Sequence, residues 1–152
     1  MNTSEKTLLR KALYANSSFS LVSGLIFLTL PAVLAEWFVA EEFTLFAAGP
    51  ADVIRIMGFL ILIFASLVFA AARQGNMAPL WSKLIIAADF SWVLGSAALI
   101  ALAPDYLTLA GLTFTAAAAL AVLAFALVQI SGLRQLVSES PASVRPHPGL
   151  PQ

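Results

Sequence analysis

The chain has 152 residues, of which 61% are hydrophobic and 11% are charged, and its formal net charge is zero. Soluble domains carry about 25% charged residues, so this chain cannot cover a globule with polar side chains. Hydrocarbon is therefore its natural solvent. Zero net charge gives no basic field for nucleic acid, and the absence of cysteine excludes disulfides, thiolate metal sites and catalytic thiols.

Four long apolar runs follow one another along the chain. Each is near or above the roughly 20 residues that cross a bilayer. Backbone in hydrocarbon must satisfy its own hydrogen bonds, so each run is predicted to be a helix. The predicted spans are 13–38, 53–72, 80–102 and 107–133. The predicted fold is all-α, an integral membrane four-helix bundle with antiparallel up-down topology.

The segments around the spans divide the chain further. Residues 1–12 are a charged N-terminal segment, and residues 13–136 hold the four spans. Gly75 and Asn76 predict a turn between the second and third spans. The connection 103–106 is so short that the third and fourth spans should form a tight hairpin. Residues 137–152 contain four prolines and few bulky apolar groups, which predicts a disordered tail.

Lysine and arginine are distributed unevenly between the two sides of the predicted bundle. Seven of the eight lie on one side if the chain crosses four times, and Arg55 is the exception. The opposite side carries acidic residues, namely Glu36, Glu41, Glu42, Asp52 and Asp105. By the positive-inside rule, the protein is predicted to lie in the cytoplasmic (inner) membrane with both termini in the cytoplasm.

One alternative changes this topology. The stretch PAVLAEW resembles a signal-peptidase site, with Val33 and Ala35 at the positions that require small residues. Cleavage after Ala35 would leave three spans. The apolar stretch Leu13–Leu30 is longer than the roughly 7–15 residues of a signal-peptide core, so we expect the first span to be retained.

Asp89 is the acidic residue placed deepest in a predicted span. Counted from Leu80 it lies about 13 Å into the third span, close to the midplane, where a carboxylate costs at least about 2.5–3.5 kcal/mol. Lys83 points elsewhere around the helix, so we expect a neutral acid or an acceptor for donors on the first span. The polar residues that could share this site are Asn16, Ser20, Ser23 and Ser96. Three roles are open: an interhelical hydrogen bond that fixes packing, a proton- or cation-linked site, or contact with a partner subunit.

Arg55 and Asp52 form a second candidate site, on the outer face. A salt bridge or snorkelling explains Arg55. The alternative is an anion-facing group in an outer vestibule. Trp37 and Trp81 are predicted interfacial anchors, whereas Trp92 should pack in the bundle.

The sequence assigns no reaction. The spans contain no histidine, no pair of acids for acid–base catalysis, no phosphate loop and no metal-ligand spacing. We therefore predict no enzyme activity, no cofactor and no metal. The first function hypothesis is an accessory, assembly or structural membrane subunit that acts through helix–helix contacts, supported by faces of small residues. The second is a small proton- or cation-coupled transporter or channel-like protein that uses Asp89. The predicted partners are the lipid bilayer and either further copies of the chain or a larger membrane complex.

Overall fold

The computed structural model describes residues 3–73 and 79–138, which form five α-helices and one 3-10 helix. The α-helices are α1 (Thr3–Thr29), α2 (Pro31–Phe38), α3 (Pro50–Arg73), α4 (Pro79–Leu102) and α5 (Leu109–Ser138), and η1 is the 3-10 helix Pro104–Tyr106. Four of them are long and apolar enough to cross a membrane, over Leu9–Thr29, Pro50–Arg73, Leu80–Leu102 and Leu109–Arg134. The predicted all-α membrane bundle is confirmed. Helix α5 continues to Ser138, so the first two residues of the predicted disordered tail are helical. The rest of that tail and the predicted turn at Gly75 and Asn76 lie outside the described residues.

The first predicted span, 13–38, is divided into two helices. α1 ends at Thr29, and Leu30 leaves the helical region with φ −123° and ψ 37°. Pro31 then opens α2, since proline lacks the N–H of an interior helical residue but fits the first helical position. At its other end α1 begins at Thr3, so part of the charged N-terminal segment continues the same helix.

α2 is attached to the beginning of α5 by hydrogen bonds. The backbone N–H of Thr108 donates to the carbonyl oxygen of Phe38 (3.0 Å), and that of Ala40 donates to the oxygen of Tyr106 (2.9 Å). The Thr108 hydroxyl donates to the Trp37 carbonyl. A Cβ atom at Gly111 would collide with the Phe38 carbonyl, so this attachment requires glycine there. α2 thereby covers one end of the bundle, which we call the α2 end.

The long helices pack in the order α3, α1, α5, α4. α1 packs extensively along α3 and also against α5, and α4 packs along α5 as the predicted hairpin requires. α3 and α4 barely touch, so the last pair in the ring is separated by a cleft. Gly58 permits the close approach of α3 to α1, because a Cβ atom there would lie 2.7 Å from the backbone nitrogen of Leu28.

The end of the bundle opposite α2 is filled by apolar side chains. Residues from α1, α3 and α4 form this core: Leu9, Leu13, Val68, Ala71, Ala72 and Ile85. Large apolar side chains elsewhere point outward, among them Leu67, Leu94 and Leu120. Such a surface suits contact with lipid. The two cavities described below lie between this core and the α2 end.

Candidate functional site

Polar side chains from three helices meet at Asp89 in α4. The Nδ2 group of Asn16 on α1 donates to Oδ2 of Asp89 at 2.8 Å. The Nε2 group of Gln129 on α5 donates to the same oxygen at 3.1 Å. Ser20 joins them indirectly, since its hydroxyl donates to Oδ1 of Asn16 at 3.3 Å. Asn16, Ser20, Asp89 and Gln129 are all buried, and we call them the amide–acid cluster.

The depth of Asp89 explains which donors reach it. Asn16 follows Lys11 by five residues, Asp89 follows Lys83 by six, and Gln129 precedes Arg134 by five. At 1.5 Å per residue, all three lie about 8–9 Å from a flanking cation. Asp89 therefore lies at the same depth as Asn16. It is nearer to the end of the bundle opposite α2 than its count from Leu80 indicated. Ser20, one turn further along α1, reaches Asp89 only through Asn16.

Gln129 was not among the predicted site residues. It is the only amide side chain between Leu107 and Leu133, it is fully buried, and its Nε2 group contacts Asp89. Its position relative to Arg134 was the signal that could have revealed it. Its Oε1 atom is buried and has no hydrogen-bond partner among the described residues. The Gln129 side chain thus donates a hydrogen bond to Asp89, while its oxygen accepts none among the described residues.

The described residues provide no cation for Asp89. The one ion pair among them joins Arg55 and Asp52 at 2.9 Å, with both side chains more than half exposed. Lys83 is exposed on α4. Asp89 is thus supported by neutral amide donors alone, and both recorded hydrogen bonds fall on Oδ2.

Asp89 also lines a cavity inside the bundle. This smaller cavity has a volume of about 280 Å³ and is walled by α1, α3, α4 and α5. Ser20 and Ser23 line it beside Asp89, whereas Asn16 and Gln129 stand behind the wall. The other lining groups are aliphatic, aromatic or thioether. Within the cluster, Asp89 and Ser20 therefore face the cavity.

A larger cavity of about 670 Å³ adjoins the smaller one towards the α2 end. Ser96, buried on α4, lines this larger space. The side chains that line both cavities are Phe27, Met57, Trp92, Phe114 and Ala118. Part of α2 and the segment after it, including Phe38, Val39 and Phe43, form the far wall. A largely apolar, aromatic space thus extends from the α2 end to Asp89.

The other predicted positions lie apart from the cavities. Arg55 and Asp52 form the predicted ion pair at the start of α3 and line neither cavity. Trp37 and Trp81 are 64% and 50% exposed near helix ends, positions that suit interfacial anchors. Trp92 is half-buried inside the bundle, as expected.

Within residues 3–73 and 79–138, no group of three or more His, Cys, Asp or Glu side chains could hold a metal ion. In comparisons with known proteins, no family model, no curated protein and no solved structure matches the chain. The geometry and chemistry of the cavity therefore carry the functional inference.

Proposed function

We propose that this small membrane protein binds a cationic or protonatable substrate at Asp89 and acts as a small transporter or channel-like protein. The observation that supports the proposal most is that Asp89, a buried acid, lines an intramembrane cavity. An acid needed only to join helices could lie away from any cavity, as the side chains of its two donors, Asn16 and Gln129, lie away from this one. Asp89 instead lines a space that could hold a ligand.

The charges around Asp89 support the same role. A carboxylate buried inside a membrane-spanning bundle is costly, and a proton or a bound cation would relieve that cost. Among the described residues, Asp89 forms no ion pair, and Arg55 pairs with Asp52. The other lysines and arginines of this part of the chain lie towards the ends of their helices: Arg10, Lys11, Arg73, Lys83 and Arg134.

Tyr14 is the nearest titratable side chain to the cluster along α1, two residues before Asn16. It packs against the ring of Phe69, with the ring centroids 5.8 Å apart. Among the described residues, Asp89 is the single ionisable side chain that lines the smaller cavity.

The shape of the bundle limits how transport could occur. The apolar core around Leu13 and Val68 fills the end opposite α2, so the cavity reaches Asp89 from one side. A path across the membrane would therefore require helix movement or a second copy of the chain, which makes a homo-oligomer part of the proposal.

A second candidate function is an accessory or assembly subunit that works through helix–helix contacts. The amide–acid cluster favours it, because hydrogen bonds from Asn16 and Gln129 to Asp89 join α1, α4 and α5 and would fix their register. In this case the cavity would be a packing defect filled by lipid, and co-purification in mild detergent should recover a stable partner.

Water access to the cavity distinguishes the two functions. The chain has no cysteine, so single variants give an unambiguous signal. We expect Ser20→Cys and Ser96→Cys, which replace cavity-lining residues, to react with a charged methanethiosulfonate reagent in proteoliposomes. The measurement is the mass gain of the labelled protein.

Two matched serines serve as controls for labelling. Ser17 is buried between α1 and α3 and donates to the carbonyl of Ala65. Ser66 is on the exposed surface of α3 and donates to the carbonyl of Leu62. Neither lines a cavity, so Ser17→Cys and Ser66→Cys should stay unlabelled. Equal silence at Ser20 and Ser96 would contradict the proposed site and favour the accessory subunit.

A further inference from the structure

We infer that the cavity takes a hydrophobic organic amine, with one protonated nitrogen paired with Asp89 and an apolar or aromatic body in the remaining space. The inference rests on the proposed binding role of Asp89 and specifies the ligand class for that site. Three features support it: the single carboxyl group, the composition of the cavity walls, and the cleft between α3 and α4.

The walls do not suit an inorganic cation. Hard cations such as Ca²⁺ and Mg²⁺ take about six or more oxygen ligands, and Mg²⁺ keeps several of its waters. Around the smaller cavity, oxygen-bearing side chains are limited to Asp89, Ser20 and Ser23 among the described residues. Oδ2 of Asp89 already accepts two hydrogen bonds. The site can therefore offer one negative charge and very few further ligands.

The same walls suit an organic cation. A protonated amine has three or fewer N–H donors, so one carboxylate and a hydroxyl can satisfy much of its hydrogen bonding. Phe27, Trp92 and Phe114 stand where the two cavities adjoin, and aromatic faces attract cations when both are shielded from water. Volumes of about 280 and 670 Å³ are of the size that small-molecule sites have, roughly 300–1,000 Å³.

The cleft between α3 and α4 provides a route of entry. These two helices barely contact each other, although both line the smaller cavity. Met57 on α3 and Trp92 on α4 line both cavities. A molecule dissolved in the bilayer could therefore enter sideways, which suits a ligand that is hydrophobic as well as charged.

Trp92 can report binding directly. In a single-tryptophan protein carrying Trp37→Phe and Trp81→Phe, which alter two exposed residues, its fluorescence reports on the cavity. The full chain is placed in nanodiscs of uncharged phosphatidylcholine. The probes are a para-bromophenyl alkylamine and the alcohol of the same length, because bromine quenches tryptophan. The control is a protein in which Trp81 is the single tryptophan. It measures the quenching that is caused by probe dissolved in the lipid.

At neutral pH we expect the amine to quench Trp92 saturably, with an affinity about tenfold higher than the alcohol's, since one charge-assisted hydrogen bond contributes that much. Asp89→Asn should reduce this preference to less than about threefold and leave the affinity for the alcohol unchanged. Trp81 should show only weak, non-saturating quenching. The comparison of amine with alcohol on the chain with native Asp89 tests the inference even if that variant does not fold.

The inference is overturned if the alcohol quenches Trp92 as well as the amine, or if Asp89→Asn keeps the preference. It is also overturned if neither probe quenches saturably. In that last case the cysteine variants at Ser20 and Ser96 separate the two proposals. If these cysteines are labelled, the proposed function stands with the proton alone as the ligand of a water-accessible Asp89. If they are not labelled, the proposed function is wrong as well.

Discussion

Replacing Asp89 by leucine is expected to lower the free energy of unfolding by about 2 kcal/mol, because two buried amide donors lose their acceptor. Asn16 and Gln129 both donate to Oδ2 of Asp89. Asp89→Asn should remain within about 1 kcal/mol of the native chain, since its side-chain oxygen can accept both hydrogen bonds and its amide nitrogen can face the cavity. The measurement is unfolding in mixed detergent micelles, followed by circular dichroism.

The controls for this prediction use the same substitution elsewhere. Ser66→Leu changes an exposed residue whose hydroxyl bonds its own helix, so it should have little effect. Asn16→Leu combined with Asp89→Leu should be less harmful than the sum of the single changes, because both partners are removed together. A fully stable Asp89→Leu protein would show that the amide–acid cluster does not hold the helices.

The asparagine variant also separates structure from function. It keeps the hydrogen-bond geometry and removes the ionisable group. If Asp89→Asn folds and every measured activity keeps its pH dependence, then a proton-linked role for Asp89 is wrong. If it folds but no longer binds substrate, or if its activity no longer depends on pH, then the acid acts through its charge and not through packing.

Sequence patterns predicted the helices well because hydrocarbon demands long apolar segments, and the four candidate spans match the four runs. The division of the first run at Pro31 was missed, since its apolar character continues through both helices. The close contact of Gly111 with the Phe38 carbonyl was not predicted, because it depends on how α2 folds back. Composition shows which segments are buried in lipid but not where each one bends.

The candidate site was predicted in part. Asp89 and Asn16 were both singled out, yet their direct pairing was not, because the end of an apolar run is a poor measure of depth. Lys83 and Arg134 were better markers, and they place Gln129 at the same level. The cavity itself could not be predicted. It exists because α1 is packed against α3 while α3 and α4 stand apart, and no local pattern encodes which helices are neighbours.

Gly58→Ala should strongly destabilise the packing of α3 against α1, lowering the free energy of unfolding by about 2–3 kcal/mol. The new Cβ atom would lie 2.7 Å from the nitrogen of Leu28 and 2.9 Å from the carbonyl carbon of Phe27. These are backbone atoms, so they cannot rotate away as a side chain could. α1 and α3 would have to separate along their main contact.

Gly95→Ala is the matched control, since a Cβ atom at Gly95 meets nothing within 4 Å. It should be neutral or slightly stabilising because alanine favours helix more than glycine does. Gly58 also neighbours Met57, which lines both cavities. Separation of α1 from α3 should therefore change the labelling of a cysteine at Ser20 while leaving that at Ser96 less affected. Equal stability of the two alanine variants would show that α1 and α3 are not held at the close distance that shapes the cavity beside Asp89.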